Sequence, residues 1–292
     1  MVPAPLFVLA AALATQTGQA FGKQLFARVD PPGVVALRVG IAALALVVLY
    51  RPRRWPRGRR LGTVVALGAA IAGMNLIYPA LHYLPLGVAG TLQLLGPLTV
   101  ALAGSRRPAD VAVVALAVTG LVLVRDPASG ALAWQGITLA LLSAASMGTY
   151  LLLSRRVGAD ADSRAGLALG VAVAALFWVP VGVADSGSDL AAPGVLVAGC
   201  AVALLSAVVP YSLELAALQR LPAGVVGTLL TLEPVVAAGT GWLVLHEELS
   251  ARRWLGIGCI CAAAAGVTLA TGRRSRDRIG PIQTLVPDRE RC

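Results

Sequence analysis

The chain reads as an all-α integral membrane protein of ten transmembrane helices, built as two inverted five-helix repeats. Three observations predict this fold class. Apolar residues make up 58% of the 292 residues and charged residues 13%, with a mean hydropathy of +0.80. Soluble proteins carry about 25% charged residues, so a soluble surface cannot be built from this composition. Long apolar runs follow one another to about residue 271. One segment of the first half recurs in the second. A soluble enzyme, a secreted disulfide scaffold and a disordered chain are excluded together.

A bilayer core about 30 Å thick takes roughly 20 apolar residues per helix. Ten runs meet or approach that length, at 5–27, 32–50, 61–81, 85–103, 109–124, 134–153, 164–184, 193–217, 223–245 and 251–271. The first has no positive segment before it and stays apolar past any Ala-x-Ala site, so it reads as a retained helix rather than a signal peptide. The second contains Arg38 and the fifth is short. Pro31-Pro32, Pro52, Pro56, Pro85, Pro108, Pro127, Pro193 and Pro222 punctuate the connections. The segment 273–292 is basic and reads as a disordered cytoplasmic tail.

The net charge of +10 is not a nucleic-acid footprint, because its basic residues cluster between apolar runs. With the N-terminus inside, the segments 51–60, 105–108, 154–164, 218–222 and the tail hold six, two, three, one and six Arg, 18 in all. The other side holds four: Arg28, Arg125, Arg252 and Arg253. Cytoplasmic loops are enriched in Lys and Arg, so both termini are expected in the cytoplasm, in a bacterial inner membrane.

The repeat is the strongest internal signal. Residues 84–104 read LPLGVAGTLQLLGPLTVALAG and residues 221–241 read LPAGVVGTLLTLEPVVAAGTG, with 11 of 21 positions identical at an offset of 137. The expected units are 1–126 and 127–272. Five helices per unit is an odd number, so the second unit enters the membrane upside down. Inverted repeats of this kind place a binding site where the halves meet, and rocking exposes it alternately to either side.

Charged and polar groups within a bilayer are costly and face the protein interior or a wet cavity. Three helices carry them at the spacing i, i+3, i+7, which is one helical face. They are Gln16, Gln19 and Lys23; Asn75, Tyr78 and His82; and Ser143, Ser146 and Tyr150. Together the stripes predict a lined cavity. Lys23 and Arg38 are the cations within spans and suit a substrate carboxylate. Glu233, central in the ninth run with Thr240 on the same face, and Glu214 in the eighth suit proton binding and release. Glu247 and Glu248 read as solvated loop residues.

A proline inside a helix frees the carbonyl four residues earlier. Pro79, Pro97, Pro210 and Pro234 so free Asn75, Gln93, Ser206 and Leu230. Pro97 and Pro234 are repeat equivalents, which predicts a hinge in each half. In the last run Gly258, Ala262 and Gly266 form a small-residue stripe suited to close helix packing, expected within the chain rather than across a dimer. Cys200, Cys259, Cys261 and Cys292 give no metal or redox pattern, and no H-E-x-x-H or G-x-S-x-G motif is present. No enzyme, metal or cofactor is expected.

The segments GKQLF (22–26), PPGVVALRVG (31–40), GMNLIYPALHYLPLGVAGTLQLLGPLTVAL (73–102), SRRP (105–108) and VVPYSLELAALQRLPAGVVGTLLTLEPVVAAG (208–239) resemble the EamA-type drug/metabolite transporters. The resemblance covers about residues 5–272 and looks most like the threonine and homoserine exporter branch. It implies a secondary transporter without enzymatic activity, exporting small amino acids by proton antiport, as monomer or homodimer. A drug or other metabolite exporter is the alternative within the superfamily. In this reading Lys23, Arg38, Gln16, Gln19, Asn75, Tyr78, Gln93, Ser146 and Tyr150 contact substrate, Glu233 and Glu214 carry protons, and Pro97 and Pro234 act as hinges. The exporter pattern has Glu at the position of Gln93. An amide cannot carry a proton, which moves more of the coupling onto the two acids.

Overall fold

The computed structural model describes residues 4–52, 57–103, 108–124, 133–158, 163–218, 220–221, 226 and 229–278. The motif residues 105–107, Arg125, Pro222 and the tail beyond 278 lie outside the described residues. What is described is helical. The helices are α1 (Ala4–Gln24), α2 (Pro31–Tyr50), α3 (Arg59–Met74), α4 (Ile77–Tyr83), α5 (Leu86–Ala103), α6 (Pro108–Val124), α7 (Trp134–Gly158), α8 (Ser163–Ser186), α9 (Pro193–Ala203), α10 (Val209–Leu218), α11 (Glu233–Leu245) and α12 (Ala251–Arg278). A π turn at Leu204–Val208 joins α9 to α10.

Five segments are long and apolar enough to cross a membrane: Pro31–Tyr50, Arg59–Tyr83, Trp134–Ser154, Ala165–Ala191 and Pro193–Glu214. Leu86–Val100, Val111–Val124 and Glu233–Leu245 are shorter apolar helices. Helix α12 continues to Arg278, beyond the end expected at 271. Large apolar side chains such as Leu44, Val111, Leu176, Phe177, Val197, Leu243 and Leu255 point outward. In water such a belt would be a liability, whereas against lipid it is the ordinary outer surface.

The elements interleave the two parts of the chain. Helix α2 packs on α8 and α9, α3 on α7 and α8, α1 on α10 and α11, α5 on α7 and α11, and α6 on α12. Glycine permits several of these approaches. A Cβ on Gly68 would meet Val173, and one on Gly96 would meet the backbone of Ala144, with its carbonyl carbon at 2.7 Å. Where α6 meets α12, Cβ atoms on Gly120 and Gly256 would each lie 2.7 Å from the other's carbonyl oxygen. Those two glycines make the close packing there. Gly258, Ala262 and Gly266 are exposed on the far side of α12, and open space surrounds both glycines. The expectation that this stripe packs within the chain is therefore corrected: small-residue spacing marks a smooth face, and the face used is one turned away from it.

Gly96→Val is expected to cut the yield of monodisperse protein severalfold by size-exclusion chromatography. Backbone cannot give way as a side chain can, and overpacking costs about 1–3 kcal/mol or more. Gly258→Ala, with nothing within 4 Å, is expected to elute like the parent chain.

Candidate functional site

Most of the polar groups singled out in the sequence turn inward and meet in hydrogen-bonded clusters. The largest surrounds Arg38. Pro79 has no N–H to give the Asn75 carbonyl, and the helix breaks there, α3 ending at Met74 and α4 starting at Ile77. The Tyr78 N–H takes the Asn75 carbonyl instead, at 3.1 Å. Pro210 leaves the Ser206 carbonyl in the same position, and there the chain widens into the π turn. The donor comes from α2. Arg38 Nη2 donates to Ser206 O at 2.8 Å, Nε to Ser206 Oγ at 2.6 Å, and Nη1 to Asn75 Oδ1 at 2.5 Å. The guanidinium lies 5.4 Å from the Tyr78 ring centre. The Tyr78 hydroxyl donates to Ser206 Oγ at 3.3 Å. Arg38 thus locks two proline-broken segments together, and among the described residues no carboxylate pairs with it.

Helix α1 borders this cluster. A Cβ on Gly18 would lie 2.7 Å from Ser206 N, and one on Gly22 would lie 2.6 Å from the Tyr78 ring. On its neighbouring face, Gln16 Nε2 donates to Glu233 Oε1 at 3.0 Å. Glu233 opens α11 after a break at Thr231–Leu232, and Pro234 stands in the first turn, where a missing N–H is tolerated. Glu214 of α10 is within electrostatic reach of Glu233. Gln16, Gln19 and Thr240 are all buried.

A third cluster joins α5 to α7. Gln93 Nε2 donates to Ser143 Oγ at 2.8 Å, and Ser143 Oγ donates to Met74 O at 2.7 Å, at the end of α3. Ser146 lies beside Gly73, and Tyr150 packs against the core.

The fourth cluster closes one end of the bundle. Lys23 Nζ donates to Glu247 Oε1 at 2.6 Å and to Leu84 O at 2.7 Å. The other Glu247 oxygen accepts the Leu86 N–H at 2.7 Å. That amide is one of the orphan donors at the start of α5, where a carboxylate is favoured. Glu247 reaches it because His246 adopts a left-handed conformation at φ 55° and turns the chain back, so that the Glu247 N–H bonds to Gly241 O at 3.1 Å. A Cβ on Gly241 would sit 2.6 Å from that carboxylate.

Three expectations change. Glu247 is not a solvated loop residue: its side chain is 14% exposed, and it is the partner of Lys23. His82 leaves the Asn75 stripe: it is exposed between Phe26 and Tyr83 in the last turn of α4, beyond the Arg38 cluster that Asn75 and Tyr78 reach. The equivalent prolines differ, since α5 runs through Pro97 whereas α11 begins at Pro234. Ser206, Ser143 and Glu247 are polar partners that the expected substrate and proton sites did not include. For Ser206 the signal was Pro210 four residues on.

Two segments, residues 2–125 and 134–269, match the model of the EamA-like transporter family. The threonine/homoserine exporter RhtA of Escherichia coli (strain K12) is 39% identical over 278 residues, covering 93% of this chain and 94% of that protein. RhtA of Salmonella typhimurium (strain SL1344) is 39% identical over 275 residues, covering 92% of each. A solved crystal structure shares the fold at a TM-score of 0.61 and 20% identity, over 94% of this chain and 99% of that one.

Proposed function

We propose an export function for this chain, which belongs to the EamA-like transporter family: it carries small amino acids of the threonine and homoserine kind out across the cytoplasmic membrane in exchange for protons. The observation that carries the reading is the 39% identity to threonine/homoserine exporters over 93% of the chain. The geometry agrees with it, because the polar clusters join helices from both halves.

We take the ten helical runs to cross in two inverted fives, with both termini cytoplasmic. The packing supports an exchange of the halves. Numbering the runs in order, the first on the eighth and ninth is matched by the sixth on the third and fourth. The second on the eighth is matched by the seventh on the third. Second on seventh, fourth on ninth and fifth on tenth map onto themselves. A pseudo-two-fold of this kind makes alternating access a rocking of one half on the other, with Pro97 inside α5 and the break before Pro234 as the hinges.

In this scheme Arg38 faces the substrate carboxylate, beside Asn75 and Tyr78. Among the described residues, three of its five N–H groups are used. One N–H on each Nη has no partner among them, and that pair suits a carboxylate. Gln16, Gln19, Gln93, Ser146 and Tyr150 line the path. Glu233 and Glu214 exchange protons. Lys23 alternates between Glu247, which holds the outer end shut, and the departing carboxylate.

Right-side-out vesicles containing the chain, loaded with labelled threonine or homoserine, test this directly. An imposed gradient of one pH unit, acid outside, is expected to drive efflux clearly above that of empty vesicles and to sustain a concentration ratio of up to about ten per proton exchanged. Absence of amino-acid flux in either direction would sink the substrate assignment.

A further inference from the structure

The face of α1 turned toward α11 carries hydrogen-bonding groups that the protein leaves over. Gln16 is 2% exposed and Gln19 is 7% exposed. Gln16 gives its amide N–H to Glu233, and its Oε1 has no donor among the described residues. The Gln19 side chain makes no hydrogen bond among them either. Buried amide oxygens are almost always paired, and leaving one without a donor costs about 1–3 kcal/mol. Such an atom deserves an account.

The groups around it are acceptors as well. Glu233 from α11 presents its carboxyl to Gln16 at 3.0 Å, and Glu214 from α10 lies within electrostatic reach of Glu233. Helix α1 packs on both of these helices. The cations nearby are engaged elsewhere. Lys23 of α1 is held by Glu247, and Arg38 of α2 is held by Ser206 and Asn75 on the Gly18 side of α1. Arg220, after α10, lies over the Phe7 ring at 4.9 Å. Helix α4, which also packs on α1, brings Tyr78 to the Arg38 cluster and the exposed His82; α12 brings Cys261, with the buried Arg253 in its first turn; α9 brings only the exposed Cys200, and α5 and the π turn bring no titratable group. Two carboxyls and an unmatched amide oxygen make a site of acceptors, and what such a site lacks is a donor carrying positive charge.

We propose that Gln16, Glu233 and Glu214 bind the ammonium group of the substrate, in competition with a proton for the same carboxyl oxygens. This deepens the export reading and rests on it. A primary ammonium offers three N–H donors, and Gln16 Oε1 and the two carboxyls offer it three partners. When the ammonium enters, one carboxyl proton leaves to water. When the ammonium departs, a proton returns. The charge of this acidic site is the same in both states, because the ammonium takes the place of the proton, and the substrate carboxylate is matched separately by Arg38. Gln19 lies about 60° from Gln16 around α1, on the side toward Gly22, which makes it the next polar neighbour of a ligand held there.

The test uses the purified full chain in weakly buffered detergent with a pH-sensitive dye. L-Threonine is expected to bind and to release about one proton per molecule bound. N-Acetyl-L-threonine, which has an amide in place of the ammonium, is expected neither to bind nor to release protons. Gln16→Leu removes the free oxygen at similar volume and is expected to weaken threonine binding about tenfold, as loss of one bond to a charged group does. Equal binding of the acetylated compound would overturn the proposal. So would a folded Gln16→Leu chain with unchanged affinity and proton release. Should that variant not fold, the comparison of the two compounds on the parent chain decides alone. Failure of the parent chain to bind or move either threonine or homoserine would overturn instead the export reading beneath it.

Discussion

Glu233→Gln is expected to fold and reach the membrane, and to lose pH-gradient-driven threonine flux to the level of empty vesicles. The amide keeps the shape of the carboxyl and can still accept the Gln16 N–H, now 3.0 Å from Oε1. It cannot bind and release a proton. Removing an ionisable group from a membrane interior does not threaten the fold, because a charge there costs about 2.5–3.5 kcal/mol on insertion scales. The expected loss is therefore of coupling, not of protein. Measured at equal reconstituted amounts, the initial rate should become independent of the imposed gradient. A Glu233→Gln chain with full gradient-driven flux would remove Glu233 from the coupling role and leave Glu214 to be tried in the same assay. The repeat explains why the second half holds this group. At the offset of 137, Glu233 corresponds to Gly96. Gly96 is pressed against the backbone of Ala144 on α7, whereas Glu233 meets the side chain of Gln16 on α1. The equivalent contact is closed tight in one half and furnished with polar groups in the other.

The apolar runs were legible in the sequence: a helix stands in each, and five of the described segments are long and apolar enough to cross a membrane. The proline-freed carbonyls were legible as well. What takes them was not. The Ser206 carbonyl is taken by Arg38, 168 positions away, and no periodicity reports a partner on another helix. The Asn75 stripe failed at His82 because spacing gives a face and not its length: Asn75 and Tyr78 meet Arg38 and Ser206, while the last turn of α4 is exposed at His82 and Tyr83. Glu247 was misplaced because it follows the apolar run, and distance along the chain was read as distance from the protein. The left-handed turn at His246 folds that carboxylate back to Lys23. The glycine stripe on α12 shows the same limit. Gly258 and Gly266 have the right spacing, yet Gly120 and Gly256 make the contact. Pattern identifies which residues can meet a neighbour, and only tertiary packing says which do.

Arg38→Ala is expected to be the most damaging single change at the site, abolishing transport and lowering stability by about 2–5 kcal/mol. Three hydrogen bonds go at once, each worth roughly 0.6–2 kcal/mol inside a membrane protein. The Ser206 carbonyl then has no helical donor, because Pro210 cannot supply one. Arg38→Lys keeps the charge but has no planar fork to span Ser206 and Asn75. It is expected to melt between the parent and the Ala variant in detergent. Stability alone does not separate a latch from a substrate ligand, since Arg38 serves the fold in either case. The carboxylate does separate them. Threoninol has the ammonium and hydroxyl of threonine without the carboxylate, so the parent chain should prefer threonine as a competitor of labelled flux by about tenfold or more. In Arg38→Lys the preference should shrink severalfold if the remaining Nη groups hold the substrate carboxylate. If Arg38 is only a latch, the variant will be less stable and slower but will keep the full preference. The carboxylate would then have to be held elsewhere, and Lys23, once parted from Glu247, is the next cation to test.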